Sequence, residues 1–520
     1  MRTPSVPVTD VDAAFEYVDA LRTDPRGANP DGWRVDWDDG PWPVKVYAGG
    51  RRTRPAAALN RLLANGLAIT TARIDQRGAL PTSPEQPVPI RRGAAVLTRR
   101  AVPSGGAMYP TEAYVVTRAA PAAYHYDPYR HELLDLAHPA PLPALADAVL
   151  LTDGVPAVTV VLGFRFWKNF YKYGDFAYRL GALDVGVVVG RLLRLGAAGF
   201  GRADLLVDFD DRRLNALLGL DGEQESCYAV LCLGDRAPVP DARVHPVSAP
   251  PVVVERSSRV RRSARFAAAH TAASAGSGVP PAMSPSTAER IADVPVAVAD
   301  PLPLPEPAAV AGLDPAVLVR RTSNGHLFTG RPAPASALAT VLRYACDAIA
   351  GFGLRCADPL ADLPDLYCAV NRVSGVPAGW YRVALDGGCL VPVGAGGDPA
   401  CGRTLQRALF AGTVNLELAA FTVHVASEVD FRGASRGVRE YRVRQMAAGV
   451  AVEAVTVACV ATGLGSHPLL GFDANVVDDR YGLPGTGRGV QIQIAAGPVR
   501  PAPTPEVPVR HVLTDHRGGS

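Results

Sequence analysis

The stretch KYGDFAYRLGALDVGVVVGRLLRLGAAGFG, residues 172–201, predicts a long apolar helix and has a counterpart in the second half of the chain. The counterpart is GVREYRVRQMAAGVAVEAVTVACVATGLG, residues 437–465. Four landmarks recur in the same order: a Tyr-Arg pair, a glycine eight residues after the tyrosine, a Gly-x-Gly turn and a Phe-Asp pair. In the first half they are Tyr178-Arg179, Gly186, Gly199-Phe200-Gly201 and Phe209-Asp210. In the second half they are Tyr441-Arg442, Gly449, Gly463-Leu464-Gly465 and Phe472-Asp473. Chance does not readily produce so many landmarks in one order. We therefore infer a tandem duplication of one domain.

Strand-like runs flank both helices. AVTVVLGFRF (157–166) and AFTVHVASEVDF (420–431) precede them, and CYAVLCLGDR (227–236) and VQIQIAAGPVR (490–500) follow. The first runs are apolar and β-branched, and the last alternate, as half-buried strands do. Each copy is thus predicted to be an α+β domain. The Tyr-Arg pairs occur in both copies, so a structural role at the helix start is the plainer interpretation.

A segment rich in Pro, Ala and Ser separates the two copies. Its X-Pro steps disfavour helix, which favours an inter-domain connection that is partly extended along a surface. The basic run ERSSRVRRSAR (255–265) within it fits either a solvated face or a contact with an acidic peptide. The predicted organisation is an N-terminal helical extension (1–39), a first domain (40–236), the connection (237–312), a second domain (313–500) and a tail (501–520).

Composition excludes several classes of protein. The 520 residues carry 53 Lys plus Arg against 50 Asp plus Glu, without a long basic block, so no nucleic-acid partner is expected. The eight cysteines form no C-x-x-C and no zinc-like cluster, and we expect them to be reduced and mostly buried, as in a cytoplasmic protein without a metal site. The N-terminal residues show no apolar signal region, so no signal peptide is expected. The sequence has no long apolar span without charges, so no membrane helix is expected.

PSGGAMYP, Pro103–Pro110, precedes the strand-like run TEAYVV in the first copy, and the second copy has no counterpart. Glycine is costly in ordered backbone and is used where φ must be positive or where another group approaches the backbone closely. Taken alone, the glycine pair also fits an ordinary turn.

These residues together resemble SagB/ThcOx-type dehydrogenases of the FMN-dependent nitroreductase superfamily. The resemblance rests on R-x-x-PSGGAMYP before a strand, on KYG followed by Tyr-Arg, and on a long helix that ends in a Gly-x-Gly turn. It covers residues 40–235 well and 313–500 more loosely. It implies two nitroreductase-like domains, each a mainly antiparallel sheet flanked by helices, that form a pseudo-dimer within one chain and bind FMN at their interface.

The resemblance also assigns site residues. The cofactor-binding candidates, from a loop of the first copy and from an Arg clamp and a Gly-rich turn of the second, are Arg99, Arg100, Pro103, Ser104, Gly105 and Gly106, then Arg320, Arg321 and Ser323, then Gly463, Leu464, Gly465 and Ser466. Gly105 and Gly106 would let backbone lie against the flavin ring, and Ser104 would donate to it. Surface arginines are the alternative for Arg99 and Arg100. Because loop and clamp each occur once, we expect one complete FMN site.

Lys172 and Tyr173 match the Lys-Tyr pair of azoline dehydrogenases, which oxidise thiazoline or oxazoline rings of ribosomal peptides to thiazole or oxazole. In that reaction a base removes a proton and a hydride goes to flavin N5. A lysine is protonated near neutral pH unless burial lowers its pKa, and a solvated surface lysine is the alternative. The expected partners are an azoline-containing peptide and cyclodehydratase proteins. Two other functions stay open, an NAD(P)H-dependent nitroreductase-type oxidoreductase and a flavin-free scaffold for a precursor peptide.

Overall fold

The structure is a computed structural model that describes most of the chain. The described residues are 8–25, 27, 29, 33–75, 95–151, 153–239, 250–275, 300–308, 318, 321–323, 325–356, 360, 362–394, 397–412, 414–501 and 506–509.

The helices and strands are numbered here in chain order. Those of the first half are α1 (Val8–Thr23), β1 (Val46–Ala48), β2 (Arg52–Thr53), α2 (Ala57–Gly66), β3 (Ile69–Asp75), β4 (Ala95–Arg100), β5 (Thr111–Thr117), β6 (Ala122–Asp127), β7 (Glu132–Asp135), α3 (Pro141–Ala148), β8 (Val155–Arg165), α4 (Phe166–Tyr173), α5 (Ala177–Phe200), β9 (Ala203–Leu206), α6 (Asp211–Leu217), β10 (Glu225–Ala237), β11 (Val252–Val254) and α7 (Ala264–Ala275). Those of the second half are β12 (Leu302–Pro303), α8 (Ala335–Arg355), β13 (Asp365–Val370), β14 (Gly379–Val383), β15 (Cys389–Pro392), α9 (Cys401–Ala408), β16 (Phe421–Glu428), α10 (Arg439–Ala461), β17 (Gly465–Leu469), α11 (Ala474–Tyr481), β18 (Arg488–Gly497) and β19 (Glu506–Pro508).

Two seven-stranded sheets form the framework. The first has the order β2-β7-β6-β5-β8-β10-β9, and the second has the order β12-β15-β14-β13-β16-β18-β17. These orders are identical once the strands are matched along the chain, and the paired strands run antiparallel in both sheets. The predicted duplication of a mainly antiparallel α+β domain is therefore confirmed. We call the parts built on these sheets the first lobe (52–237) and the second lobe (302–497).

The capping residues of the repeat also correspond. Asp210 precedes α6 and accepts a hydrogen bond from the backbone N–H of Arg213. Asp473 precedes α11 and accepts one from the backbone N–H of Asn475. Each aspartate thus satisfies an N–H at the start of a helix, as the Phe-Asp landmark implies for a turn residue.

The long helices α5 and α10 pack against each other and join the lobes. A Cβ built on Gly186 would overlap the backbone of Met446, and one on Gly449 would overlap the backbone of Leu183 and Val187. Both glycines of the repeat are therefore the points at which the two helix backbones touch, where a side chain has no room.

The Tyr-Arg pairs lie at the same junction. The rings of Tyr178 and Tyr441 stack with centroids 5.8 Å apart and planes inclined by 3°. Arg179 donates hydrogen bonds to the carbonyl oxygens of Leu21 and Gln491, at 3.1 and 2.5 Å. These contacts agree with the structural role that repetition of the pair suggested.

Replacing Gly186 with alanine is expected to destabilise the fold by about 3 kcal/mol or more, because the added methyl group meets backbone that cannot turn away. The thermal unfolding midpoint measures the effect. Gly199, in the same helix, has open space around the position of a Cβ, so Gly199→Ala is the matched control. The control is expected to gain up to about 1 kcal/mol from helix propensity. Equal stability of the two variants would contradict the glycine crossing.

Segments outside the two sheets connect the lobes further. In α1, Tyr17 donates to the Asp175 carboxylate at 3.0 Å, and Arg22 forms an ion pair with Asp478 of the second lobe at 2.6 Å. Within the range predicted as a connection, β11 pairs with β1 and α7 packs on α1. The C-terminal strand β19 pairs with β3, which itself pairs with β4.

All eight cysteines are free of disulfide bonds and six of them are buried, as predicted. Among the described residues, α8 and α10 are long and apolar enough to span a membrane, and 56% and 94% of their most apolar windows are buried inside the fold. These two helices also pack against each other. The cytoplasmic location stays a prediction.

Candidate active site

The loop that joins β4 to β5, residues 103–109, has a strained backbone; we call it the glycine loop. The φ angles of Gly106, Ala107 and Tyr109 are +56°, +58° and +50°. A residue with a side chain costs about 1–2 kcal/mol in this left-handed region, and two of these three have one. Strain of this kind persists only where surrounding contacts impose it.

The two glycines of the loop face protein side chains. A Cβ on Gly105 would lie 2.5 Å from both methyl groups of Leu180 in α5. A Cβ on Gly106 would lie 2.5 Å from Lys172 Nζ and would overlap the Tyr173 hydroxyl. Gly105 therefore permits close packing on α5, and Gly106 lets the Lys-Tyr pair reach the loop. Their expected contact with a flavin ring stays a prediction.

Ser104 is held by a buried carboxylate. Its hydroxyl donates to Asp184 Oδ2 at 2.7 Å and accepts from the Tyr109 N–H at 2.9 Å. The N–H of Gly105 donates to Asp184 Oδ1 at 3.1 Å. The single proton of the Ser104 hydroxyl is thus directed to Asp184 in this structure, and its predicted hydrogen bond to a flavin stays a prediction.

Lys172 and Tyr173 form the C-terminal end of α4, beside the loop. Both are half-buried, and Lys172 Nζ lies 5.2 Å from the centre of the Tyr173 ring and 5.8 Å from that of Trp37. Burial lowers the pKa of Lys172. Burial, followed by the negative charge of Asp184, raises the pKa of Tyr173. The pair therefore combines a lysine that loses its proton more readily with a tyrosine that keeps its proton.

The arginines before the loop differ in exposure. Arg100 is buried, donates to the carbonyl oxygen of Thr111 at 3.4 Å and lies 5.2 Å from the centre of the Tyr109 ring. It supports the loop from inside the first lobe. Arg99 is half-buried on β4, and Pro103 is buried at the start of the loop. None of these contacts tests the predicted phosphate or ribityl role of either arginine.

The Arg clamp of the second lobe contacts the chain just before the glycine loop. Arg321 is buried, and its Nε donates to the carbonyl oxygen of Ala101, two residues before the loop, at 2.7 Å. Its Nη1 donates to Ser323 Oγ at 3.3 Å. Arg320, the other predicted arginine of the clamp, lies outside the described residues. Loop and clamp, 220 positions apart in the sequence, are therefore neighbours.

The Gly-rich turn of the second lobe completes this region. Gly463, with φ of +76°, ends α10, Leu464 is buried, and Gly465 and Ser466 begin β17. Ser323 forms a parallel bridge with Ser466. The Ser466 hydroxyl is buried and has no hydrogen-bond partner among the described residues.

The neighbouring His467 is held in its neutral form. Its Nδ1 accepts a hydrogen bond from the Gly325 N–H at 3.2 Å. Burial, and then the positive charges of His326 and Arg321, lower the pKa of His467 to about 4.

The second lobe lacks the groups that surround the glycine loop. The repeat aligns Gly174 with Gly437, and these have nearly equal φ angles of +55° and +53°. In this register, Ser435 and Arg436 replace Lys172 and Tyr173, and Ala447 replaces Asp184; Arg436 instead forms an ion pair with Asp208 at 2.9 Å. The loop, the Lys-Tyr pair and the buried carboxylate therefore occur together in one lobe.

The turn after α5 in the first lobe, which corresponds to the Gly-rich turn of the second lobe, has different neighbours. The end of α8 contacts β9, where Cys356 bridges Leu205 and Arg355 donates to the Ala203 carbonyl oxygen at 3.4 Å. The residue that ends α5 with positive φ is Gly201, so Gly201 matches Gly463, and Ala203 matches Gly465. The sequence landmarks instead pair Gly199 with Gly463 and Gly201 with Gly465, which is two residues out of register with the structure. Gly199 misleads the comparison because it lies inside α5 and does not end that helix.

A buried polar cluster that no sequence motif indicates lies in the first half of the chain. In it Lys45 pairs with Glu225 at 2.8 Å, and His125 contacts Glu112 at 3.1 Å. Lys168, also buried, has its pKa lowered to about 7 by burial, against the attraction of Glu112. The chain has three lysines in all, at positions 45, 168 and 172, and none of them is exposed. The small number of lysines was the feature of the sequence that could have drawn attention to Lys45 and Lys168.

Comparisons with known proteins identify the architecture. Neither the models of known protein families nor the curated proteins give a match. Among solved structures, a candidate nitroreductase from Anabaena variabilis ATCC 29413 is 22% identical, with a TM-score of 0.68 over 94% of this chain and 99% of that one. The chain has the nitroreductase fold. This match, at under 25% identity, shows the fold alone.

Two further solved structures are similar to part of the chain. A candidate nitroreductase from Ralstonia eutropha JMP134 is 18% identical, with a TM-score of 0.28 over 43% of this chain and 97% of that one. A chain of the E. coli microcin synthetase McbBCD complex with truncated pro-MccB17 bound is 16% identical, with a TM-score of 0.27 over 45% of this chain and 100% of that one. The predicted fold class, two nitroreductase-like domains in one chain, is confirmed by the first match and by the two sheets.

Proposed function

We propose that this protein is an FMN-dependent dehydrogenase that oxidises thiazoline or oxazoline rings of a modified ribosomal peptide to thiazole or oxazole. The observation that carries the proposal is a convergence. Lys172 and Tyr173 lie against Gly106 of the glycine loop, and Arg321 of the second lobe donates a hydrogen bond to the carbonyl oxygen of Ala101, two residues before that loop. These contacts, all made with residues 101–106, support the proposal.

The residues of the second lobe fit an anionic flavin nucleotide. Arg321 brings a buried positive charge, and Ser466 has a buried hydroxyl without a partner among the described residues. A buried donor of this kind is costly unless a bound group accepts from it. Arg321, Ser323 and Ser466 are the proposed FMN contacts, and when bound FMN supplies the two-electron acceptor of the reaction.

Lys172 is the proposed base and Tyr173 the group that orients the azoline ring. A lysine whose pKa is lowered by burial is neutral more often and accepts a proton from the ring carbon. A tyrosine whose pKa is raised stays protonated and donates a hydrogen bond to a ring heteroatom. Gly106 is exposed, so substrate has access to the loop beside both side chains. The azoline-containing peptide and cyclodehydratase partners belong to this proposal.

The asymmetry of the lobes leads to a proposed stoichiometry of one FMN per chain. We expect the purified protein to be yellow, and flavin released by denaturation to equal about one FMN for each chain by absorbance. The reason is that the second lobe offers Ser435, Arg436 and Ala447 in place of the side chains around the loop. About two FMN per chain would contradict the single-site proposal, and a colourless protein that takes up no FMN would contradict the function.

A further inference from the structure

We propose that Asp184 is a positioning residue that clasps the glycine loop through Ser104 and Gly105 and so sets the geometry of the site. It acts through the loop, without a contact to substrate. The flavin part of this inference rests on the proposed function, whereas the effect on the loop itself does not.

Geometry gives Asp184 its place. It lies in the second turn of α5, 3% exposed, and both carboxylate oxygens are used, one by the Ser104 hydroxyl and one by the Gly105 N–H. Ser104 in turn accepts from the Tyr109 N–H, so one carboxylate fixes both ends of the strained segment 106–109. Charge-assisted hydrogen bonds of this kind are about twice as strong as neutral ones.

The two lobes provide an internal comparison. Their long helices carry the same landmarks, yet Ala447 stands in α10 where Asp184 stands in α5. The second lobe also has no glycine loop. An aspartate inside an apolar helix is unfavourable by itself, so its presence only beside the loop indicates a task connected with that loop.

Burial of the Asp184 carboxyl changes its pKa and makes its contribution to folding depend on pH. Burial raises the pKa of Asp184 to about 7, although the bonds from Ser104 and Gly105 and the amide of Asn169 lower it. Tyr173 faces the carboxylate from α4, and Lys172 lies on the same helix at Gly106. Because the folded state holds this proton more tightly than the unfolded chain, the contribution of Asp184 to folding falls as pH rises from about 4 to about 7.

The test compares Asp184→Asn, Ser104→Ala and the double variant with the unchanged protein. We expect each single variant to raise the FMN dissociation constant about ten- to a hundredfold, the loss typical of a hydrogen bond to a charged group. The double variant is expected to be no worse than Asp184→Asn, since both substitutions remove one interaction. Hydrogen exchange of the FMN-free protein is expected to show about tenfold less protection at Gly105 and Tyr109 in each variant.

A pH series tests whether the carboxyl of Asp184 is buried in the folded protein. The thermal midpoint of Asp184→Asn relative to the unchanged protein is expected to rise as pH increases from about 4 to about 8, because the variant has no buried carboxyl to ionise. Unchanged loop protection in the variants would overturn the inference. If the unchanged protein binds no FMN, the proposed function fails, and exchange at the loop still decides the role of Asp184.

Discussion

Replacement of Lys172 by alanine is expected to lower turnover of a thiazoline-containing peptide about 10²- to 10⁴-fold, the usual contribution of a general base. Lys172 Nζ is placed beside the glycine loop, and burial already lowers its pKa toward the range in which it can accept a proton. The loss of two hydrogen atoms from the peptide, followed by mass spectrometry, measures turnover. Bound FMN is expected to be unchanged, because the charged and hydroxyl groups proposed to hold it, Arg321, Ser323 and Ser466, belong to the second lobe.

Lys172→Arg is the matched variant for this prediction. Arginine keeps the positive charge and most of the length, but its guanidinium does not lose a proton in proteins. We therefore expect Lys172→Arg to be as inactive as Lys172→Ala, whereas Tyr173→Phe loses only the orienting hydrogen bond. An active Lys172→Arg enzyme with bound FMN would show that Lys172 is not the base.

The pH dependence of the same side chain is directly measurable. Because the pKa of Lys172 is lowered, the neutral amine is populated at lower pH than for a free lysine, and activity is expected to rise with pH as the proton leaves. The chain has three lysines, so side-chain NMR of labelled lysine resolves each of them. The titration of Lys172 is expected to coincide with the basic rise in turnover.

The architecture was predictable because repetition is visible in sequence. Gly186 and Gly449 carry the signal of a backbone contact, and the structure places them at the crossing of α5 and α10. The register of the Gly-x-Gly turns was wrong, because Gly199 lies inside a helix, where glycine is not needed for its φ angle. Pattern alone does not separate a glycine that caps a helix from one that merely occupies it.

The contact of Asp184 with the glycine loop was harder to predict from the sequence. Asp184 was visible as a charge that interrupts an apolar run, but its partners lie 79 and 80 positions earlier in the chain. Which charge in a buried helix meets which loop depends on how β5 and α5 pack. The family resemblance led us to expect the clamp of the second lobe opposite the glycine loop, but nothing local in the sequence specifies the contact of Arg321 with Ala101.

Glu453→Gln is expected to destabilise the protein by about 3–5 kcal/mol, the usual effect of removing one partner of a buried ion pair. Glu453 in α10 accepts from Arg191 Nε in α5 at 2.6 Å, and both side chains are fully buried. Arg194 contacts the other carboxylate oxygen. Burial lowers the pKa of both arginines to about 10, and without the Glu453 carboxylate the buried guanidinium of Arg191 and the partly exposed one of Arg194 lose their shared counter-charge.

The same variant links stability to the site. Arg191 and Glu453 belong to different lobes, so their loss loosens the contact that brings Arg321 to Ala101, and we expect FMN to be retained less well. Chemical denaturation measures the stability, with Glu417→Gln, at an exposed position, as a control expected to change it by under about 0.5 kcal/mol. Replacing Arg191, Arg194 and Glu453 together by apolar residues is expected to restore stability, because no unpaired charge remains. A triple variant as unstable as Glu453→Gln would mean that packing, rather than charge, holds the lobes together.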